Sequence, residues 1–78
     1  MAERVLLLND IDIVRKFVGE AMLQKFDIEF TSGKYTVDAK SIMGIFSLDL
    51  TAPVTMIAHC DEYDPFISFA EQYLFNGK

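Results

Sequence analysis

The chain has 78 residues, 51% of them hydrophobic and 13% aromatic, which supplies one compact core but leaves no length for a second domain, because a chain of this size buries only about 60–65% of its unfolded surface. A formal charge of −5, with the basic residues scattered along the chain, argues against a nucleic-acid backbone as partner. A lone cysteine, Cys60, excludes an internal disulfide, and the longest apolar run, Val5 to Leu8, falls far short of the roughly 20 residues needed to span a bilayer. The expectation is a single cytoplasmic domain over residues 1–78 that needs no membrane, metal or cofactor.

In chain order, Val5 to Leu8 reads as a short first strand bounded by Glu3-Arg4 and Asn9-Asp10. Asn9 and Asp10 are good N-cap types, and Ile11, Val14, Phe17, Val18, Ala21 and Met22 then recur at helical spacing. The opposite side carries Asp12, Arg15, Lys16, Glu20 and Gln24, with Asp12 and Lys16 spaced for a weak ion pair. Phe26, Ile28 and Phe30 alternate with Asp27, Glu29 and Thr31, and Tyr35, Val37 and Ala39 alternate with Thr36 and Asp38. Joined by Ser32-Gly33-Lys34, these runs predict a hairpin.

Ala39-Lys40-Ser41 leads into Ile42, Met43, Ile45, Phe46 and Leu48, so a short helix is expected to start at an N-cap Ser41. So many large apolar residues exceed what one face of a short helix can bury. Ile45 and Leu48 can face a sheet while Ile42, Met43 and Phe46 share another side, either as a docking patch or as further core. Ser41 is a structural cap on one reading. On the other it is a phosphorylation switch, since the positive end of a helix favours an anion. After Thr51-Ala52-Pro53 breaks the helical pattern, Val54 to Ala58 resumes as a strand. Asp64-Pro65 then starts a last helix with apolar face Phe66, Phe69, Ala70, Tyr73 and Leu74, and Asn76-Gly77 can cap its end. The order strand, helix, strand, strand, helix, strand, helix argues an α+β domain with helices on one face of a sheet.

Lys40-Ser41-Ile42-Met43-Gly44 followed by Ser47-Leu48 resembles the regulatory-serine segment of HPr, the small phosphocarrier of the bacterial sugar phosphotransferase system. Phe26-Asp27-Ile28-Glu29-Phe30, the Ser32-Gly33-Lys34 turn and Val37-Asp38-Ala39 before it, and Val54-Thr55-Met56-Ile57 after it, follow the family order. The resemblance implies an HPr-like open-faced sandwich: a four-stranded antiparallel sheet backed by two long helices, with the Ser41 helix at one end. It also implies protein partners, namely an HPr kinase-like enzyme, a phosphotransferase-system protein or a transcription regulator. On it, Ser41 is the regulatory phosphorylation site, Lys40 supports the anion, and Ile42, Met43 and Phe46 dock the partner.

The departure lies at the start of the first helix, where the family has a glycine, an active-site histidine, an arginine and a proline. Here the chain reads Leu8-Asn9-Asp10-Ile11-Asp12-Ile13, placing Asp10 at about the position of the missing histidine and Asp12 near that of the arginine. Carboxylates there repel an incoming phosphoryl group. The single histidine, His59, is expected at the end of the fourth strand beside Cys60, where adjacent side chains diverge and cannot act on one atom. Asp61, Glu62 and Asp64 lack calcium-loop spacing, and no glycine-rich phosphate loop, metal-ligand cluster or catalytic triad pattern occurs. The chain is expected not to be an enzyme. Two functions fit: a regulatory docking module, resembling the catabolite-repression paralogue of HPr that also lacks the histidine, or a phosphoryl carrier acting through some other residue.

Overall fold

The structure, a computed structural model, describes residues 1–76. It contains β1 (Ala2–Leu6), α1 (Ile11–Met22), β2 (Ile28–Ser32), β3 (Tyr35–Asp38), α2 (Ile42–Phe46), β4 (Val54–Ala58) and α3 (Pro65–Ala70), the last continued by a 3-10 turn over Glu71–Tyr73. The strands form one four-stranded sheet in the order β1-β4-β2-β3, antiparallel at every junction.

Alternation along the strands separates two faces. Ala2, Leu6, Val54, Met56, Ala58, Ile28 and Phe30 are buried against the helices, where Val14, Phe17, Val18 and Ala21 of α1 and Phe66, Ile67 and Ala70 of α3 meet them. Glu3, Ile57, Glu29 and Asp38 line up across the strands on the opposite, open face. Aromatic rings knit the core: the Phe17 centroid lies 5.2 Å from Phe30, 5.5 Å from Phe66 and from Phe69, and 6.2 Å from Tyr73.

Local signals place most boundaries. Asp10 caps α1 by accepting from the Asp12 N–H at 2.7 Å, and Asp64 caps α3 by accepting from Phe66 N–H at 2.9 Å, with Pro65 in the first turn where its missing N–H costs nothing. The hairpin turns on two residues rather than three, because Ser32 and Tyr35 already pair. Gly33 takes φ +59°, a conformation open to glycine, while Lys34 keeps a negative φ, as in a type II′ turn.

Tertiary partners move other boundaries. The first strand runs over Ala2–Leu6 rather than Val5 to Leu8, since its partner β4 begins at Val54, paired with Leu6. Beyond Leu6 the outward side of the chain is met by the returning C-terminal segment: the Leu7 N–H donates to the Tyr73 carbonyl at 2.9 Å, and the Phe75 N–H to the Val5 carbonyl at 2.8 Å. That pairing ends the last helix at Ala70, short of the expected Leu74, and draws Leu74 into a bridge with Leu6. The last helix is therefore six residues, not the long element the resemblance implied. Gly77 of the expected Asn76-Gly77 cap lies outside the described residues, and the helix has ended before Asn76. On α1, Ile11 and Met22 are exposed rather than on the buried face, because they sit at the ends of the helix beyond its packing partners. Asp12 and Lys16 form no ion pair: both project into water, where such a pair is worth too little to fix two long side chains.

Gly19 sits on the exposed side of α1, and a Cβ added there meets nothing within 4 Å. Gly19→Ala is accordingly expected to stabilise the domain by about 0.5–1 kcal/mol, read as a raised midpoint in urea with an unchanged slope.

Candidate functional site

The site grows out of the N-terminus of α2. Ser41 has extended backbone (φ −110°, ψ 108°) and its Oγ accepts from the Gly44 N–H at 3.1 Å, a cap worth about 1 kcal/mol. Ser47 closes the other end, its hydroxyl donating to the Gly44 carbonyl at 2.6 Å. The helix stops at Phe46, so Leu48 reaches the core from the loop beyond it. Ile45 is fully buried, whereas Met43 is 77% and Phe46 41% exposed. Ile42 is half-buried and packs against the core. The expected division of this helix thus holds for Ile45, Met43 and Phe46, while Ile42 is shared between the surface and the core.

Lys40 does not stand free beside Ser41. Its Nζ donates to the Gln24 carbonyl at 2.9 Å, tying the start of α2 to the chain just past the C-terminal end of α1, where a cation is favoured. Asp10 caps the other end of α1, a helix length of roughly 18 Å away. Asp10 and Asp12 thus belong to a different end of the helix from the Lys40 anchor.

Gly44, which sequence reasoning gave no role, matters for access. A Cβ there would come 3.3 Å from Ser41 Oγ and 3.4 Å from the Val37 Cβ, so any larger residue would push the serine hydroxyl aside by a few tenths of an ångström. The Lys40-Ser41-Ile42-Met43-Gly44 string contained this residue, but its contact with Val37 depends on how α2 folds back.

The nucleophile types elsewhere are occupied. His59 follows β4, exposed, with Nε2 at 3.0 Å from Glu29 Oε1 on β2. Cys60 is half-buried; burial, and secondarily the Asp64 carboxylate, pushes its thiol up, holding it in the protonated, weakly nucleophilic form near neutrality. A groove of about 250 Å³ on the open face is lined by Asp27, Glu29, Thr36, Val37, Asp38 and His59. Among the described residues no group of His, Cys, Asp or Glu is disposed to hold a metal ion, and no helix is long and apolar enough to cross a membrane.

The element order, the sheet order and the short capped helix after β3 define the HPr open-faced sandwich. Comparison with solved structures shows the same fold. The HPr-C-His structure from Thermoanaerobacter tengcongensis superposes with a TM-score of 0.75 at 24% identity, over 92% of this chain and 89% of that one. The histidine-containing phosphocarrier protein of a Mycoplasma gives 0.73 at 18% identity over 91% and 89%. Phosphocarrier protein HPr from Bacillus anthracis gives 0.69 at 26% identity over 95% and 94%. No protein-family model and no curated protein sequence matches the chain.

Proposed function

We propose that this chain is a regulatory docking module of the phosphotransferase-system family, working in the cytoplasm and without enzymatic activity of its own. The observation that carries this reading is the combination of the HPr fold with an aspartate, Asp10, capping α1 about where the family has its phosphoryl-accepting histidine. An anionic side chain there opposes transfer, while the α2 end keeps a Ser41 cap beside exposed Met43 and Phe46.

On this reading an HPr kinase-like enzyme transfers a phosphoryl group from a nucleoside triphosphate to Ser41 Oγ, the serine proton leaving to the kinase's base. The phosphate oxygens then take over the Gly44 N–H at the helix start, and Lys40 supports the anion by exchanging the Gln24 carbonyl for it. Met43 and Phe46, with the exposed part of Ile42, meet the kinase, a phosphotransferase-system protein or a transcription regulator. A second reading, phosphoryl carrier, rests on His59, whose imidazole is exposed and held by Glu29.

Two incubations separate the readings. With phosphoenolpyruvate and enzyme I the protein is expected to stay unmodified; an acid-labile phosphate lost in His59→Ala would establish the carrier reading and overturn the first. With HPr kinase and nucleoside triphosphate, mass spectrometry is expected to find one acid-stable phosphate, absent in Ser41→Ala. If the kinase leaves wild type unmodified, the switch is refuted and only docking through Met43 and Phe46 remains.

A further inference from the structure

The two edges of the sheet are treated differently. Along the end of β1 the returning chain covers part of the outward side, through Leu7 N–H to Tyr73 and Phe75 N–H to Val5. At β3 nothing comparable lies alongside among the described residues. Hydrogen-bond parity fixes which groups point outward there. Ala39 N–H donates to the Ile28 carbonyl at 2.9 Å, and Ser32 pairs with Tyr35 across the turn, so Tyr35, Val37 and Ala39 bond inward to β2 while Thr36 and Asp38 turn their backbone groups out. The Asp38 carbonyl is taken by Ser41 N–H at 3.0 Å, which leaves both the N–H and the carbonyl of Thr36 facing an open edge. Such an edge is a template for another strand.

We propose that this edge pairs with the same edge of a second copy of the chain, antiparallel and centred on Thr36. In that register Thr36 lies opposite itself and exchanges two backbone hydrogen bonds with its counterpart. Tyr35, which is 71% exposed, lies opposite Val37 on the helix side, and Lys34 lies opposite Asp38 on the open side. The two-fold axis makes each of these contacts twice. Opposed residues in an antiparallel pair share a face, so both the apolar and the charged pairs meet correctly. A register one residue away would set apolar against charged side chains.

Local charge complementarity selects this occupant. Two copies of −5 repel overall, but this register sets Lys34 against Asp38 on both sides of the axis. Asp38 lines the open-face groove with Asp27 and Glu29 and stands directly opposite Glu29 in the β2–β3 register, a like-charge neighbour that costs stability. The Asp38 carboxylate accepts from the Lys40 backbone N–H at 2.9 Å but has no ion-pair partner among the described residues, and Lys34 of the second copy supplies one. The Lys40 ammonium is committed to the Gln24 carbonyl. A four-residue strand buries much less than the roughly 1,200 Å² of stable interfaces, so the association is weak, with a dissociation constant on the order of 1 mM.

Sedimentation equilibrium between about 0.05 and 2 mM at low salt is expected to show monomer and dimer, with concentration-dependent amide shifts confined to residues 34–38. Lys34→Asp sets two carboxylates together on each side of the axis and should weaken association about tenfold. Adding Asp38→Lys restores opposite charges and should return it close to wild type. Thr36→Pro removes the outward N–H at an edge position where proline is tolerated, and should abolish the dimer while leaving the melting temperature near that of wild type. A wild type that stays monomeric throughout, a double charge swap as weak as Lys34→Asp alone, or a dimer that survives a folded Thr36→Pro would each overturn the proposal.

Discussion

Phe17→Ala is expected to destabilise the domain by about 3–5 kcal/mol, the largest single-residue effect in the fold. Phe17 is fully buried on α1 and touches the ring of Phe30 on β2, of Phe66 and Phe69 on α3, and of Tyr73 in the turn beyond it. Those partners come from two separate parts of the chain, β2 and the continuous segment of α3 and its 3-10 turn, so no single side chain can collapse into the space a truncation leaves. The loss adds the transfer cost of the ring to that of the cavity, together with edge-on aromatic contacts worth about 0.5–1.5 kcal/mol per pair. A domain of this length has roughly 4–12 kcal/mol of stability in all, so the variant should be close to unfolded. Urea denaturation followed by far-UV circular dichroism checks it, with Ile11→Ala on the exposed end of the same helix expected to change stability by less than about 0.5 kcal/mol. A Phe17→Ala cost below about 1.5 kcal/mol would mean that the aromatic cluster is not the core.

What could be read from the sequence was what depends on neighbouring residues. Asp10, Ser41 and Asp64 each cap a helix through an N–H two or three residues on, so residue type and spacing sufficed. Val54 to Ala58 became β4 over the expected residues, because Pro53 marks its start. The misplaced boundaries lie where a distant partner decides. Glu3 and Arg4 look like a polar lead-in, yet they are strand because β4 lies alongside. Arg4, on the helix side between Ala2 and Leu6, is accommodated by ion pairs with Glu62 and Glu71, far away in sequence. Leu74 keeps helical spacing with Tyr73 and Ala70, but the free edge of β1 captures it. The same holds at the site: Ser41 was legible as a cap, whereas the commitment of Lys40 to Gln24 and of His59 to Glu29 needed the elements to be brought together.

Ile45→Ala and the pair Met43→Ala and Phe46→Ala should part company, although all three sit within one five-residue helix. Ile45 is wholly buried, and its truncation should cost about 2–5 kcal/mol of stability. Met43 and Phe46 lie three residues apart on the solvent side of α2 and keep most or much of their surface in water. Removing them takes away little that folding had buried, with an expected stability loss below about 1 kcal/mol for Met43 and somewhat more for the partly covered Phe46. In a complex their surface is removed from water by the partner, and each truncation should weaken binding by about 1–3 kcal/mol. Melting curves together with titration calorimetry against the proposed phosphotransferase-system partner separate the two contributions. If α2 were simply another piece of core, Phe46→Ala would destabilise as much as Ile45→Ala and leave binding by the surviving folded fraction unchanged. The exposure of Met43 beside the Ser41 cap predicts the reverse: a protein that melts almost as wild type does and has lost its grip on its partner.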